Sequence, residues 1–255
     1  MGQELIMPDD QLDNHRPAAD TAEGVHEAVL ALLKSEASGQ LLDAPAGEGA
    51  FALQARERGY TVVWGDISPA RFRVSDMKCL KLDLNQPWAL EDGSFDCVAS
   101  IEAVEHLENP WHLIREANRV LKNQGTLIVT TPNILSIQSR LSYLLYGYPN
   151  YFHYMVQQDS RSKKELPVDH TSPIGFLELR HILARCGFTI QQVVANRLLK
   201  RKSLVSSLLK QLILSRGLSQ VRDDQAKSSV RETLLSDPLL YGEILIVKAK
   251  KVMDV

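Results

Sequence analysis

Cysteine is scarce in this chain. Only three of its 255 residues are cysteine, Cys79, Cys97 and Cys186. They lie far apart in apolar segments and show no metal-ligand spacing. That argues against a disulfide framework or a zinc cluster, and for buried thiols in a reducing compartment. Long apolar runs are missing too. No stretch approaches the ~20 apolar residues that a membrane-spanning helix needs. The polar, acidic first twenty residues lack the apolar core of a secretory signal, so a cytoplasmic protein is expected. Neither charge sign dominates. The 29 Lys and Arg against 31 Asp and Glu leave a net charge of −2. No global electrostatic pull toward nucleic acid follows, and nucleic acid is not the expected partner. Aromatic residues make up 6% of the chain, hydrophobic residues 44% and charged residues 24%. That composition and length suit one soluble α/β domain with additions.

What the chain does have is a sharp local signal. Leu41-Leu42-Asp43 is a short apolar run ending in an acid, and Ala44-Pro45-Ala46-Gly47-Glu48-Gly49 follows it. A helical pattern runs from Ala50 to Arg58. A second apolar run, Val62-Val63-Trp64-Gly65, ends in another acid, Asp66. The sequence predicts a strand, a tight turn, a helix and a second strand. Glycines at 47 and 49 let the backbone approach a ligand, because no Cβ intervenes. The first N–H groups of the helix point into the same space. Asp66 sits where a doubly wound sheet places the carboxylate that grips a ribose diol. A nucleoside-containing cofactor is therefore expected.

The rest of the chain continues the alternation. A helix is predicted over 21–36, with Val25, Ala28, Val29, Leu32 and Leu33 on one face. Strand one covers 40–44 and strand two 61–67. Ser68-Pro69 suits a helix start. Strand three covers about 79–84, and Asp92-Gly93 is a turn. Strand four covers 95–101, and a helix covers 110–121. Asn123-Gln124-Gly125 ends that helix before strand five at 126–131. A further helix covers 173–185, strand six 188–194 and a last strand 243–250. Short alternating strands and helices argue for a parallel sheet covered on both faces. Residues 1–19 read as a flexible arm. Two stretches interrupt the pattern: 133–172, which holds five of the seven tyrosines, and 196–240.

Asp43-x-x-x-Gly47-x-Gly49 resembles motif I of the class I S-adenosylmethionine-dependent methyltransferases. Gly47 to Ala52 also satisfies the loose dinucleotide pattern. A pyrophosphate site, however, would not want the Asp43 carboxylate so close, whereas a sulfonium amino acid carries an ammonium group and no phosphate. The family often has glycine where this chain has Pro45. The resemblance covers about 21–195 and 241–251. It implies a single domain over 20–255 with a seven-stranded, doubly wound, Rossmann-like sheet, closed by an antiparallel pair. It also implies S-adenosylmethionine as cofactor. Asp43, Ala44, Gly47, Gly49, Asp66, Ile67, Asp83, Leu84 and Ile101 would line its site, with Asp83 at the adenine amino group and Leu84 on the ring. A strand-end acid in solvent is the other reading of Asp83.

Glu102-Ala103-Val104-Glu105-His106 is a second signal. If helical, positions i, i+3 and i+4 share one face, so two carboxylates and an imidazole converge. Such a set suits a divalent cation. It resembles the Glu-x-x-Glu-His set of ubiquinone-biosynthesis O-methyltransferases and of small-RNA 2′-O-methyltransferases. In the latter, a histidine downstream of Thr-Pro-Asn completes the site. Here Thr131-Pro132-Asn133 is followed by Val168-Asp169-His170. The resemblance thus implies a metal site of Glu102, Glu105, His106 and His170, with an ion such as Mg2+. Without a metal, His106 or His170 would be the general base. Either way, the methylated atom is expected to be oxygen. The expected acceptor is a small molecule or a glycan with neighbouring hydroxyls.

Three readings stay open. Tyr143, Tyr146, Tyr148, Tyr151, Phe152 and Tyr154 form either a lid over the acceptor or a self-packing or dimer contact. Oligomeric state is not set by the sequence. Leu198–Arg216 is a basic amphipathic stretch that lies either on a membrane surface or on its own domain. Arg222 to Ser229 reads as a mobile polar loop. The fold alone also admits a non-catalytic cofactor-binding scaffold that activates a partner. An NAD-dependent reductase would need a Tyr-x-x-x-Lys or equivalent proton donor, and none is found.

Overall fold

A computed structural model describes residues 17–34, 36, 38–74, 79–152, 170–199, 204–219, 221 and 223–255. The fold alternates as the apolar runs require. Helix α1 is Val25–Leu33, β1 Gln40–Asp43, α2 Ala50–Glu57 and β2 Thr61–Asp66. Strand β3 is Leu80–Lys81, β4 Phe95–Ser100, α3 Pro110–Val120 and β5 Leu121–Pro132. Then come α4 Ile137–Tyr146, α5 Phe176–Arg185, β6 Phe188–Ala195, α6 Leu204–Ser219, α7 Asp224–Glu232, α8 Asp237–Tyr241 and β7 Ile244–Lys251. The seven strands form one sheet in the order β3-β2-β1-β4-β5-β7-β6. The pairs from β3 through β5 are parallel, and β7 runs antiparallel to both β5 and β6.

The central strands β1, β2, β4, β5 and β7 bury residues on both faces, as a covered sheet demands, while the edge strand β3 is exposed. Leu42, Val98, Leu127 and Val129 point into one core with α3 and α5. Leu41, Cys97, Ala99 and Ile128 point into the other with α1 and α2. All three cysteines are buried and free. Strand order reverses beside β1, between β2 and β4, and a crevice opens there at the carboxyl ends of the strands.

Several boundaries differ from the sequence reading. Helix α1 begins only at Val25, because Gly24 at φ 83 takes the left-handed region just before it. Ser68 starts a single 3-10 turn, Pro69–Arg71, without a side-chain cap. Its N–H instead donates to Asp66. Asn123-Gln124-Gly125 does not precede strand five but lies inside it. The strand starts at Leu121 opposite Phe95, and a register shift absorbs the irregularity. Gln124 takes φ 61 there.

The 196–240 stretch is more helical than expected. The predicted mobile loop holds α7. Leu209 and Ile213 of α6 pack against Ile137, Leu240 and Tyr241, so one face of that helix rests on its own domain. Lys210 pairs with Asp237 at 3.2 Å. Leu208 and Leu212 face solvent. Residues 200–203 lie outside the described ones. Among the described residues no helix is long and apolar enough to cross a membrane.

Candidate functional site

The crevice is a cavity of about 400 Å³ at the carboxyl ends of β1, β2 and β4. Seven of the nine predicted cofactor residues line it: Asp43, Gly47, Asp66, Ile67, Asp83, Leu84 and Ile101. Ala44 and Gly49 do not. Ala44 is buried beneath the floor, its N–H donating to Ala99. Gly49, at φ 96, has Phe72 and Val74 over it: a Cβ would come within 2.7 Å of the Phe72 ring. Its freedom from a side chain serves that packing and not a ligand. Gly47, at φ 54, does face the cavity.

Asp66 does more than end a strand. One carboxylate oxygen accepts the Gly47 N–H at 2.9 Å, and the other accepts the Ser68 N–H at 2.8 Å. The carboxylate thereby sets the Gly-x-Gly loop against β2. A carboxylate has about four acceptor positions, so capacity remains for a ligand. Asp43 is buried completely, and one of its oxygens has no hydrogen-bond partner among the described residues. Burial, then the neighbouring Asp66 charge, push its carboxyl well above the usual range, against a backbone hydrogen bond from Ala52. The lining is acidic as a whole. Asp20, Asp43, Glu48, Asp66, Asp83 and Glu102 contribute, against one arginine, Arg71, which pairs with Asp20.

Sequence reasoning missed Ala18, Asp20, Thr21, His26, Arg71 and Asn85, all of which line the cavity. The Ala18 N–H donates to Glu48 at 2.8 Å, which brings the end of the predicted arm onto the Gly-x-Gly loop. His26 left a signal. It is the one polar interruption in the buried face of α1, between Val25 and Val29.

The Glu102-to-His106 segment is not an α-helix. Glu102 takes φ 51, outside the helical region, and only Val104–His106 form a 3-10 turn. Glu105, His106 and His170 converge, with ligand atoms within 4.8 Å of one another. Glu102 is not part of that cluster. Its N–H donates to the Thr130 hydroxyl at 2.8 Å, and its carboxylate lies near that same hydroxyl and lines the cavity. The four-residue set of the resemblance is therefore corrected to three converging side chains. The Thr171 and Ser172 N–H groups both donate to the Glu105 carbonyl at 2.9 Å, and this places His170. The two imidazoles meet edge to face, centroids 4.7 Å apart, and Phe152 packs on His170 at 5.2 Å. Val168 and Asp169 lie outside the described residues.

Glu105 is fully buried, and neither carboxylate oxygen has a hydrogen-bond partner among the described residues. Burial, then the Glu102 charge, push its carboxyl well up, against its own backbone N–H and the nearby Thr131 hydroxyl. Burial also pushes the Glu102 carboxyl up, to about 7, against Thr130 and Thr21, with Glu243 adding to the rise.

The aromatic span divides. Tyr143 and Tyr146 are exposed on α4 and do not line the cavity. The Tyr151 hydroxyl donates to Glu243, which also receives Arg197 and Asn196. Tyr154 lies outside the described residues.

Comparisons with known proteins agree with this geometry. The family profile described as "Methyltransferase domain" matches residues 15–193. The chain is 29% identical over 112 residues to the 27-O-demethylrifamycin SV methyltransferase of Amycolatopsis mediterranei, covering 40% of this chain and 41% of that protein. It is 26% identical over 171 residues to the demethylmenaquinone methyltransferase of Tropheryma whipplei, covering 63% and 71%. The first match thus spans less than half of that relative. Among solved structures, an S-adenosylmethionine-dependent methyltransferase from Archaeoglobus fulgidus superposes with a TM-score of 0.56 at 19% identity, covering 89% of this chain and 94% of that one. With its sheet order, its crevice and its motif I residues, the chain belongs to the methyltransferase-domain family and has the class I S-adenosylmethionine-dependent methyltransferase fold.

Proposed function

We propose that this protein transfers the methyl group of S-adenosylmethionine to a hydroxyl oxygen, on a small molecule or glycan with neighbouring hydroxyls. The convergence of Glu105, His106 and His170 beside the cavity carries this reading, because His106 belongs to both. The acidic lining supports the donor. A sulfonium and an ammonium suit a lining of six acidic side chains, and a pyrophosphate would be repelled by those that are ionised. Asp43, Gly47, Asp66, Ile67, Asp83, Leu84 and Ile101 hold the donor, with Asp66 on the ribose diol. One relative's name specifies an oxygen-linked methyl.

Methyl transfer is an in-line displacement at the sulfonium carbon. The acceptor oxygen must lie opposite the sulfur, and a neutral hydroxyl is a poor nucleophile. Glu105, His106 and His170 fit a borderline divalent cation such as Mn2+ or Zn2+ better than they fit Mg2+, the ion expected from the sequence, which prefers oxygen ligands. Two imidazoles stand beside a buried carboxylate whose oxygens have no other hydrogen-bond partner among the described residues. When bound, such an ion supplies charge that lowers the pKa of a coordinated hydroxyl. The chain's own residues orient the acceptor and exclude water, with Phe152 against His170. Without an ion, His106 or His170 takes the hydroxyl proton directly.

Labelled S-adenosylmethionine, a panel of vicinal-diol and catechol-type acceptors, and excess chelator test this. Oxygen-linked product that disappears with chelator and returns with Mg2+ or Mn2+ supports the whole reading. Product unaffected by chelator, with a rate that falls as pH drops through the histidine range, leaves a histidine base. Absence of transfer to any acceptor, with donor binding intact, would favour the scaffold.

A further inference from the structure

We propose that His26 binds the carboxylate of the donor's amino-acid tail, opposite Asp43, which takes the ammonium. The assignment rests on the donor reading above. His26 is on α1, buried to 7% exposure, yet it lines the cavity together with Asp43 and the Gly-x-Gly loop. Burial, partly offset by the nearby Glu27 charge, holds its pKa below the usual histidine value, so the ring is neutral at pH 7. Its Nδ1 lies 3.3 Å from the Gln54 amide nitrogen. An amide nitrogen can only donate, so Nδ1 accepts and the ring proton sits on Nε2. Phe51 packs on the ring at 5.5 Å and restricts its orientation. The result is a fixed N–H donor in a cavity wall.

The ligand's chemistry calls for such a donor. The amino-acid tail ends in one ammonium and one carboxylate. The cavity offers carboxylates in excess, and these repel the second group. Among its described lining residues Arg71 is the one full cation, and it is engaged by Asp20. His106 belongs to the Glu105 cluster. Thr21, Ser68 and Asn85 also line the cavity, but His26 is the one side chain that α1 and α2 contribute to it that can donate a hydrogen bond. A buried imidazole on an otherwise apolar helix face costs stability unless its polar edge is used. Gln54 uses one nitrogen, and the cavity offers a use for the other.

Two ligands isolate the contact. S-adenosylhomocysteine carries the amino-acid tail, and 5′-methylthioadenosine has the same nucleoside thioether without it. Calorimetric titration of the full chain should show His26→Phe, which keeps a ring against Phe51, weakening S-adenosylhomocysteine roughly 10- to 100-fold. Affinity for methylthioadenosine should stay unchanged. His26→Gln retains a donor and should recover part of the loss. Equal weakening of both ligands, or no weakening of either, would overturn the assignment. If the wild-type chain binds neither ligand, the donor reading falls and this assignment falls with it.

Discussion

Replacing Glu102 with glutamine should stabilise the protein, by an amount that grows as pH rises from 4.5 to about 7. The Glu102 carboxyl is pushed up to about 7 by burial, aided by Glu243 and opposed by Thr130 and Thr21. Its unfolded value is 4.5. Between those values the native state holds a proton that the unfolded chain has released. Stability therefore falls as pH rises across that window, and the loss is complete above the folded pKa. At about 1.4 kcal/mol per unit, the deficit at pH 8 is about 3 kcal/mol. At pH 5 it is roughly 1 kcal/mol or less. Glutamine keeps the size and cannot ionise, so Glu102→Gln should recover about 3 kcal/mol at pH 8 and little at pH 5. The backbone strain at φ 51 is common to both side chains and cancels. Urea denaturation in the presence of chelator measures this. Trp64 and Trp88, exposed by 2% and 4%, report unfolding by fluorescence. An equal gain at both pH values would show that side-chain chemistry other than ionisation dominates. A loss at pH 8 would refute the argument outright.

The same carboxyl should make donor affinity depend on pH. S-adenosylmethionine brings a sulfonium charge that favours ionised Glu102, so its affinity should rise between pH 6 and 8. S-adenosylhomocysteine, with a neutral sulfur, should change less, and Glu102→Gln should flatten the difference; parallel slopes for both ligands would count against a sulfonium near Glu102. Asp66→Ala should weaken donor binding by about 1–3 kcal/mol and also lower the melting temperature without ligand, because Gly47 and Ser68 lose their acceptor. S-adenosylhomocysteine should raise the melting temperature of the wild type and NAD should not; the reverse would overturn the choice of cofactor. If the exposed Leu208 and Leu212 of α6 touch a bilayer, the protein should sediment with anionic vesicles at low salt and release at high salt. Leu208→Ser with Leu212→Ser should abolish that, and an unchanged supernatant at low salt would leave α6 as a helix of its own domain.

The sheet was legible because both of its faces are covered. The inner strands are then short, near-continuous apolar runs, two of them ending in an acid: Leu41–Asp43, Val62–Asp66 and Phe95–Ser100. Strand β3 was overestimated because it lies at the sheet edge, where only Leu80 and Lys81 pair with β2. Apolar residues on its flank, Cys79, Leu82 and Leu84, are buried by packing and not by the ladder. The start of β5 was missed for the opposite reason. Lys122, Asn123 and Gln124 are exposed and polar, so no pattern marks them as strand. The pairing of Leu121 with Phe95, and the ion pair of Lys122 with Asp96 at 2.8 Å, are tertiary facts. Helix α7 reads as a loop because its composition is mostly polar, with only Ala226 and Val230 apolar. Helix formation there goes with packing on α6, which a local pattern does not contain.

The chemistry at Glu102 to His106 shows where spacing misleads. A period of 3.6 puts residues 102, 105 and 106 on one face, and that arithmetic holds only for a continuous helix. Here the chain leaves β4 through a left-handed residue and makes one 3-10 turn before α3. The turn keeps Glu105 and His106 together, while the left-handed step directs Glu102 toward Thr130 and the cavity. The two acids consequently face different partners. Glu105 meets the histidines, and Glu102 meets the space in which the donor lies under the proposed function. The Glu102 charge raises the proton affinity of Glu105. A positive charge arriving at either one therefore eases ionisation of both. That coupling links the donor side of the site to the acceptor side through two carboxylates three residues apart. It predicts that a divalent ion at the Glu105 cluster and S-adenosylmethionine in the cavity bind with a mutual dependence that Glu102→Gln weakens. Titrating the donor with and without Mn2+, in wild type and variant, measures it. Identical Mn2+ effects in both would show that the acids act independently.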